Sequence, residues 1–253
     1  MTPTRPPRQV ILHYHLFKNA GTSVDEVLKA NFGDAWVTRE FERRGNPNVH
    51  RREVAEWVRS HPQAQAFSSH TLELPPPAFE RIQVLPVIFV RHPVDRICSA
   101  YAFERRQGGD GFGAVLARHT TLAGYIEVRL SMPRDRQCRD FHVSRFATMF
   151  PEDSGSEFER AVRAVQQLPF VGVVESFDTS MRWLQSLVQP MFPAFEGHSA
   201  FANASHERHE TLEQRLARLR AEMGEACWSL LMQHNADDLA LHALACERLR
   251  QVA

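Results

Sequence analysis

The sequence predicts an α/β fold built on a mostly parallel central sheet. Compact apolar runs such as Val10–His15 and Val84–Val90 are typical of buried strands, amphipathic helical patterns follow them, and the two patterns alternate along the chain. This alternation favours parallel pairing, with helices covering both faces of the sheet. A chain of 253 residues with 43% hydrophobic content can form such a domain. We therefore expect a single domain over residues 1–253, with a flexible lead at 1–8.

The first strand and helix are predicted from residues near the amino terminus. The residues of Val10–His15 are mostly β-branched or aromatic, and a loop and an amphipathic helix follow them. We expect this helix to end near Gly33. Its apolar residues recur at three- and four-residue spacing, and they are Val24, Val27, Leu28 and Phe32. Asp25 and Glu26 favour the helix because acidic side chains in a first turn interact with the helix dipole.

Two more strands and a second helix are predicted in the first half of the chain. Ala64–Ser69 can form a short strand that ends before His70. Val84–Val90 is almost entirely apolar, as in a strand buried on both faces, and Pro86 suggests that only the later part pairs fully. Pro93 then suits the first position of a helix, because that position needs no N–H.

The second half of the chain continues the alternation. Phe170–Val174 is predicted as a fourth strand, and Asp178 can cap the helix that follows it. Two leucine-rich helices are predicted at about Leu212–Glu222 and Glu225–Arg250. We expect residues 206–253 to pack on the domain as C-terminal helices.

Composition excludes several classes of protein. Thirty basic and thirty acidic side chains cancel, so bulk charge predicts neither a nucleic-acid partner nor a membrane-surface partner. The first residues are polar and proline-rich, and no stretch approaches the roughly 18 apolar residues of a membrane span. The four cysteines show no CxxC pairing, which argues against a zinc site or a disulfide framework. We expect a cytoplasmic protein without a membrane span, of a format that favours a bacterial enzyme.

The loop between the first strand and the first helix is the leading candidate for an anion site. It comprises Lys18, Asn19, Ala20, Gly21, Thr22 and Ser23. Glycine permits close approach to the backbone, N–H groups at the helix start point outward, and lysine and hydroxyl groups add donors. In a Walker A loop lysine directly follows the last glycine, whereas Lys18 precedes Gly21 by three residues. A solvated lysine beside an ordinary helix cap is the alternative, although only two of the thirty basic residues are lysines.

A second candidate anion site follows the strand Val84–Val90. Arg91 leaves the strand end, and Ser99 lies eight positions further on, about two turns into the next helix. Both side chains can therefore face one anion beside the sheet, as a second phosphate would require. The alternative is that Arg91 pairs with a carboxylate and Ser99 packs within the helix.

Two segments of the chain resemble those of one enzyme family. LFKNAGTS is similar to the 5′-phosphosulfate loop, and FVRHPVDRICSAY to the 3′-phosphate segment, of sulfotransferases that use 3′-phosphoadenosine 5′-phosphosulfate (PAPS). The pattern looks most like that of heparan 2-O-sulfotransferase-like and bacterial sulfotransferase family proteins. The resemblance implies a three-layer fold like that of P-loop NTPases and in-line transfer of a sulfuryl group from PAPS. It further implies a hydroxyl acceptor on a carbohydrate or small molecule, adenosine 3′,5′-bisphosphate (PAP) as product, and no metal.

The resemblance also assigns residues to the donor. The loop from Lys18 to Ser23 would bind the 5′-phosphosulfate, and Arg91 with Ser99 would bind the 3′-phosphate. Arg145 lies in a segment where the family has an arginine, so the resemblance implies that it reaches the nucleotide, and a surface arginine is the alternative. Lys18 would also act in catalysis, because an ammonium group can stabilise charge on the departing phosphate oxygen.

A histidine is expected to take the proton of the acceptor hydroxyl, because a neutral imidazole has a suitable pKa. His70 is the candidate base, since it lies at a strand end and a histidine at a comparable place serves as base in the resembling family. His13 and His15 lie in or beside the first strand, and one of them could face the crevice, although a strand histidine is more typically bonded within the core. Glu175, after the fourth strand, could orient a base or could be structural.

Two other functions remain open at this point. A small-molecule kinase would need an acidic residue that holds magnesium near the phosphates, and the apolar strand in the corresponding place ends in Arg91 instead. A nucleotide-binding protein without catalysis would tolerate replacement of His70. The acceptor and the oligomeric state cannot be predicted, because acceptor pockets are built from variable loops.

Overall fold

The computed structural model describes residues 6–42, 46–151, 153–197 and 210–252. Five strands within these residues form one parallel sheet: β1 (Arg8–Tyr14), β2 (Trp36–Thr38), β3 (Ala66–Ser69), β4 (Ile82–Val90) and β5 (Gly172–Val173). The strand order is β2-β3-β1-β4-β5, and every neighbouring pair is parallel. The predicted α/β fold with a parallel sheet is confirmed, with β2 as a strand that the sequence patterns did not indicate.

Two details of the strands differ from the prediction. Arg8, expected in a flexible lead, is the first residue of β1 and pairs with Ile82, while residues 1–5 lie outside the described part of the chain. The expectation that β4 pairs fully only after Pro86 is wrong, because β4 pairs with β1 from its first residue. Within the described residues β5 meets β4 only at Phe89 and Val90, so Pro86 has a strand partner on one side, where a missing N–H is tolerated.

Helices connect and cover the strands. They are α1 (Gly21–Phe32), α2 (Pro47–Ser60), α3 (Pro93–Arg106), α4 (Phe112–His119), α5 (Leu122–Ser131), α6 (Phe141–Phe146), α7 (Glu157–Gln167), α8 (Phe177–Val188), α9 (Leu212–Met223), α10 (Glu225–Gln233) and α11 (Ala236–Val252). Two C-terminal helices were predicted, and the structure has three. The second predicted helix is interrupted at His234 and Asn235, between α10 and α11. Residues 206–209 of the predicted C-terminal region lie outside the described ranges. No helix in the described segments has both the length and the apolar character that a bilayer span requires.

The start of α8 also differs from the prediction. Asp178 was expected to cap this helix, but the helix begins at Phe177 and the capping position is occupied by Ser176. The side chain of Ser176 makes no capping hydrogen bond. Asp178 therefore lies inside the first turn, where it lines the cavity described below.

The core lies on both faces of the central strand. Residues Val10 to Tyr14 of β1 are all buried, and successive strand residues point to opposite faces. Helices must therefore cover both faces, as in a three-layer α/β fold. A second apolar cluster packs α3, α5, α9 and α10 against one another beside the sheet, around Ile97, Tyr125 and Leu231.

The strand order places a crevice between β1 and β4. These strands are neighbours, but the chain that leaves β1 runs towards β2 on one side of the sheet, and the chain that leaves β4 runs towards β5 on the other. In parallel sheets of this kind, ligands bind where adjacent connections diverge, beyond the carboxyl ends of the strands. The loop after β1 and the residues after β4 flank this crevice.

Candidate active site

One cavity at this crevice gathers most of the residues that the sequence indicated. Its volume is about 800 Å³, within the usual range for a small-molecule site. The predicted residues in its lining are Lys18, Ala20, Gly21, Thr22, Ser23, His70, Arg91, Ser99 and Glu175. Side chains that follow β1, β3, β4 and β5 therefore meet in one place. The lining does not include Asn19 or Arg145.

The loop after β1 has a constrained backbone. Lys18 and Ala20 both adopt left-handed conformations, with φ of 64° and 59°, which cost about 1 kcal/mol or more for residues other than glycine. The helix α1 starts at Gly21, and no side chain within the described residues caps it. The first N–H groups of a helix have no partners inside the helix, so those of Gly21 to Ser23 are suited to an anion in the cavity.

Gly21 is needed because the ring of His15 lies against it. A Cβ atom at this position would overlap Cδ2 and Nε2 of the His15 imidazole. His15 is 9% exposed, and it contributes to the lining of the cavity. The glycine therefore allows an imidazole to approach the backbone of the candidate anion loop.

Asn19 anchors the loop to the C-terminal part of the protein. Its Nδ2 donates to the Phe17 carbonyl at 3.0 Å, and its Oδ1 lies 2.8 Å from Nε2 of His142. His142 in turn contacts Asp238 of α11 through Nδ1 at 2.9 Å. Because the Asn19 side chain is 1% exposed and directed into this network, its position supports a role in shaping the loop.

A partly buried carboxylate joins two histidines behind the loop. His13 Nδ1 lies 2.8 Å from Asp25 Oδ1, and His15 Nδ1 lies 2.8 Å from Asp25 Oδ2, while Ser68 donates to the same carboxylate. Burial opposes a charge on Asp25, but hydrogen bonds from His13 and His15 outweigh it and hold its pKa well below the usual range. Asp25, predicted only to favour the helix dipole, is the centre of this network.

The side chains of His13, His15 and Asp25 are also close enough together to hold a metal ion. Among the described residues, the ligand atoms of His13, His15 and Asp25 lie within 4.8 Å of one another. Their mutual hydrogen bonds already satisfy the carboxylate, so the cluster is complete without an ion. The absence of a metal requirement stays a prediction.

His70 lies at the mouth of the cavity with a carboxylate partner of its own. Its Nδ1 is 2.7 Å from Oε1 of Glu40, and its side chain is 56% exposed. Hydrogen bonds from His70 outweigh the partial burial of Glu40 and lower the pKa of this carboxyl. The ring of His70 lies against that of His15 at an interplanar angle of 31°, with the centroids 3.8 Å apart. With Nδ1 donating to Glu40, Nε2 of His70 is left to accept a proton.

Arg91 is paired and faces the cavity at the same time. Its Nε and Nη2 both contact Asp95 Oδ2 at 2.7 Å, and its Nη1 donates to the Lys18 carbonyl at 3.2 Å. Asp95 also contacts Arg215 of α9, at 3.1 Å from Nε. Burial opposes the charge on Asp95, but the two arginines outweigh it and lower its pKa. Arg91 therefore pairs with a carboxylate, as the alternative to an anion site predicted. It also links the loop after β1 to the end of β4.

Lys18 and Ser99 complete the polar lining between the loop and α3. Lys18 Nζ lies 4.6 Å from the centroid of the Phe103 ring, within range of a cation–π interaction. Phe103 and Ser99 lie one turn apart on α3, and both line the cavity. The ammonium group is therefore held on the side of the cavity where the α3 residues lie.

Glu175 is held by contacts with its own neighbours. Its Oε1 accepts from the His92 backbone N–H at 2.8 Å, and its Oε2 lies 3.0 Å from His242 Nε2. Burial alone would lower the pKa of His242, but contacts with Cys246 and Glu175 raise it to about 9. Burial lowers the pKa of His92 to about 4. The structural interpretation of Glu175 is the better supported one, because both carboxylate oxygens have partners.

Arg145 lies away from this cavity. It belongs to α6 and borders a separate small pocket with Tyr14, Leu16 and Thr148. Its guanidinium carbon is 5.4 Å from the centroid of the Phe141 ring. Its location gives no support to the nucleotide contact that the resemblance implied.

Some polar residues with contacts at the site had not been singled out from the sequence, among them Asp95, Glu40 and Arg215. Asp95 lies in the first turn of α3, four positions after Arg91, so this nearby carboxylate could have been found from the sequence. Glu40 and Arg215 reach His70 and Asp95 from 30 and 120 residues away in sequence. No local pattern marks either of them.

The chain has a P-loop-like α/β fold with a polar crevice at the switch point of a parallel sheet. The profile described as "Sulfotransferase family" matches residues 4–224. An uncharacterized protein of Archaeoglobus fulgidus is 40% identical over 242 residues, which cover 92% of this chain and 94% of the relative. The chain belongs to the sulfotransferase family, whose members are transferases of sulfuryl groups.

Proposed function

We propose that this protein transfers a sulfuryl group from PAPS to the hydroxyl group of a carbohydrate or small molecule in the cytoplasm. One observation carries the choice of donor. The loop from Lys18 to Ser23 and the pair Arg91 and Ser99 line the same cavity, from the ends of adjacent strands. PAPS carries anionic groups at both its 5′ and its 3′ positions, and two separate anion sites in one cavity suit such a nucleotide.

The first anion site suits the phosphosulfate. The N–H groups at the start of α1 carry the positive end of the helix dipole, and Gly21 lets a ligand approach the backbone. Lys18 adds a compact charge beside the loop. In this arrangement the sulfuryl group lies between the loop and His70.

The proposed sulfuryl transfer needs only a few protein groups in the cavity. The acceptor oxygen attacks sulfur, the bond from sulfur to the phosphate oxygen breaks, and PAP leaves with the electron pair of that bond. Lys18 stabilises the charge that develops on the departing oxygen, and the loop N–H groups stabilise the remaining oxygens. His70 takes the acceptor proton on Nε2, and Glu40 holds the ring in the tautomer that can accept it.

Calorimetry with PAP and with magnesium ATP tests this proposal. We expect the wild-type protein to bind PAP more tightly than ATP, and Arg91→Ala to weaken PAP binding about 10- to 100-fold, as for a lost charged hydrogen bond. Arg52→Ala, which changes an exposed arginine on α2, is the matched control. Because Arg91 is buried, Ser99→Ala provides a milder variant if Arg91→Ala does not fold.

The alternatives give different results in the same experiment. Preference for ATP would favour a kinase and contradict the proposal. Tight PAP binding without release of PAP from PAPS, in the presence of alcohols, phenols and sugars, would favour a nucleotide-binding protein without catalysis.

A further inference from the structure

Arg215 shares the wall of the donor cavity with Arg91 and Ser99. It lies on α9, far from both sequence motifs, and its side chain is 15% exposed. Its Nε and Nη2 contact the two oxygens of Asp95 at 3.1 and 3.3 Å, and its Nη1 donates to the Glu210 carbonyl at 2.8 Å. Asp95 therefore contacts two guanidinium groups, those of Arg91 and Arg215.

Without Arg215, the charged pair of Arg91 and Asp95 in this wall would attract a phosphate only weakly. Arg91 carries one positive charge, and Asp95, in direct contact with it, cancels that charge. A terminal phosphate carries close to two negative charges at neutral pH, so a neutral pair would offer it little net attraction. With Arg215 included, the three side chains have a net positive charge.

Arg215 also has donors to offer. A guanidinium group has five N–H groups, and the contacts found within the described residues engage three of those on Arg215 and three on Arg91. Both residues line the cavity, and each has N–H groups beyond those that these contacts engage. The nearby Arg218 differs, because acids on both sides, Glu210 and Glu222, pair with it.

We infer that Arg215 is a direct ligand of the donor 3′-phosphate and that it selects nucleotides bearing this group. Asp95 holds the two arginines at a fixed separation and keeps them in place before the nucleotide enters. The inference rests on the proposed PAPS-dependent function, and it adds a residue and a helix that neither motif contains.

The test compares the affinities of two ligands for the wild-type protein and for matched variants. PAP and 5′-AMP differ only in the 3′-phosphate, and calorimetry measures the affinity of each for wild type, Arg215→Gln and Arg220→Gln. We expect Arg215→Gln to weaken PAP binding about 10- to 100-fold and to leave AMP binding unchanged. Arg220 lies on the same helix, is exposed and pairs with Glu225, so Arg220→Gln should change neither affinity.

The outcomes separate this inference from the proposed function. Equal loss of PAP and AMP binding in Arg215→Gln would show that Arg215 only supports the cavity, and wild-type PAP affinity would show that it is no ligand. Either result overturns the inference about Arg215. The proposed function still holds in that case if PAP binding requires Arg91. Failure of the wild-type protein to bind PAP overturns both. If Arg215→Gln does not fold, Arg215→Lys, which keeps the charge but loses the forked geometry, should show a smaller loss restricted to PAP.

Discussion

The imidazole rings of His15 and His70 lie in contact at the edge of the cavity, with centroids 3.8 Å apart and an interplanar angle of 31°. Each ring is oriented by a carboxylate at Nδ1, His15 by the partly buried Asp25 and His70 by the exposed Glu40. His15 lies against Gly21 of the anion loop, whereas His70 is open to solvent and to an incoming acceptor. His15 thus forms the contact between the loop that would hold the donor and the histidine that would take the proton.

Replacing the proposed base should slow turnover without weakening donor binding. His70→Asn removes the proton acceptor, so we expect the kcat for release of PAP from PAPS to fall about 10²- to 10⁴-fold. The dissociation constant for PAP should stay near the wild-type value, because the bisphosphate contacts lie elsewhere in the cavity. His119→Asn, at an exposed position at the end of α4, is the control. Unchanged kcat in His70→Asn would rule out His70 as the base.

Adding one methyl group to the anion loop should damage both stability and binding. In Gly21→Ala the new Cβ atom would overlap the His15 ring, so the ring or the loop must move. We expect a loss of about 1–3 kcal/mol in the free energy of unfolding, as for other overpacked sites, together with weaker PAP binding. Thermal unfolding and calorimetry measure the two effects.

The control for this substitution is Gly108→Ala, where an added Cβ atom meets nothing within 4 Å. It should leave both quantities near their wild-type values. Wild-type PAP affinity in Gly21→Ala would show that the close approach of His15 to the loop is unimportant for the donor.

Loss of the Asn19 side chain should loosen the loop from the C-terminal helices. Asn19→Ala leaves the buried Nε2 of His142 and the Phe17 carbonyl without their partner. We expect the free energy of unfolding to fall by about 1–3 kcal/mol, and PAP binding to weaken as the loop loses its anchor. Urea denaturation measures the first effect, with Asn48→Ala, exposed on α2, as control. An unchanged urea midpoint would contradict this role for Asn19.

The contacts of His242 predict stability that depends on pH. Its pKa is raised from 6.5 to about 9 in the folded protein, so its protonation stabilises the fold fully below about pH 6.5, and the effect is lost as the pH rises through 9. His242→Gln should therefore destabilise the protein by about 3 kcal/mol near pH 6 and by much less near pH 9.5. Urea denaturation of both proteins across this range checks the prediction. A difference that is constant or grows with pH would contradict it.

The parts of the site that the sequence revealed are those built from neighbouring residues. The loop from Lys18 to Ser23 could be recognised because its glycine, hydroxyls and lysine are adjacent in sequence and follow a clear strand. Arg91 and Ser99 share one strand end and helix. The cavity brings these groups together because parallel strands end at the same edge of the sheet.

The parts that the sequence did not reveal depend on packing between distant segments. Asn19 was predicted to bind the donor, but its side chain meets His142, whose position is set by α6 and α11. Arg215 reaches Asp95 only because α9 packs on α3. The strand β2 has three residues, too few for an alternating pattern to be visible.

The most direct test of the account is a crystal structure of the protein with PAP bound. We expect the 5′-phosphate to accept hydrogen bonds from the backbone N–H groups of Gly21 to Ser23, and the 3′-phosphate to contact Arg91 and Ser99. A bisphosphate bound outside the cavity, or one whose 3′-phosphate lies away from Arg91 and Ser99, would contradict the proposed donor.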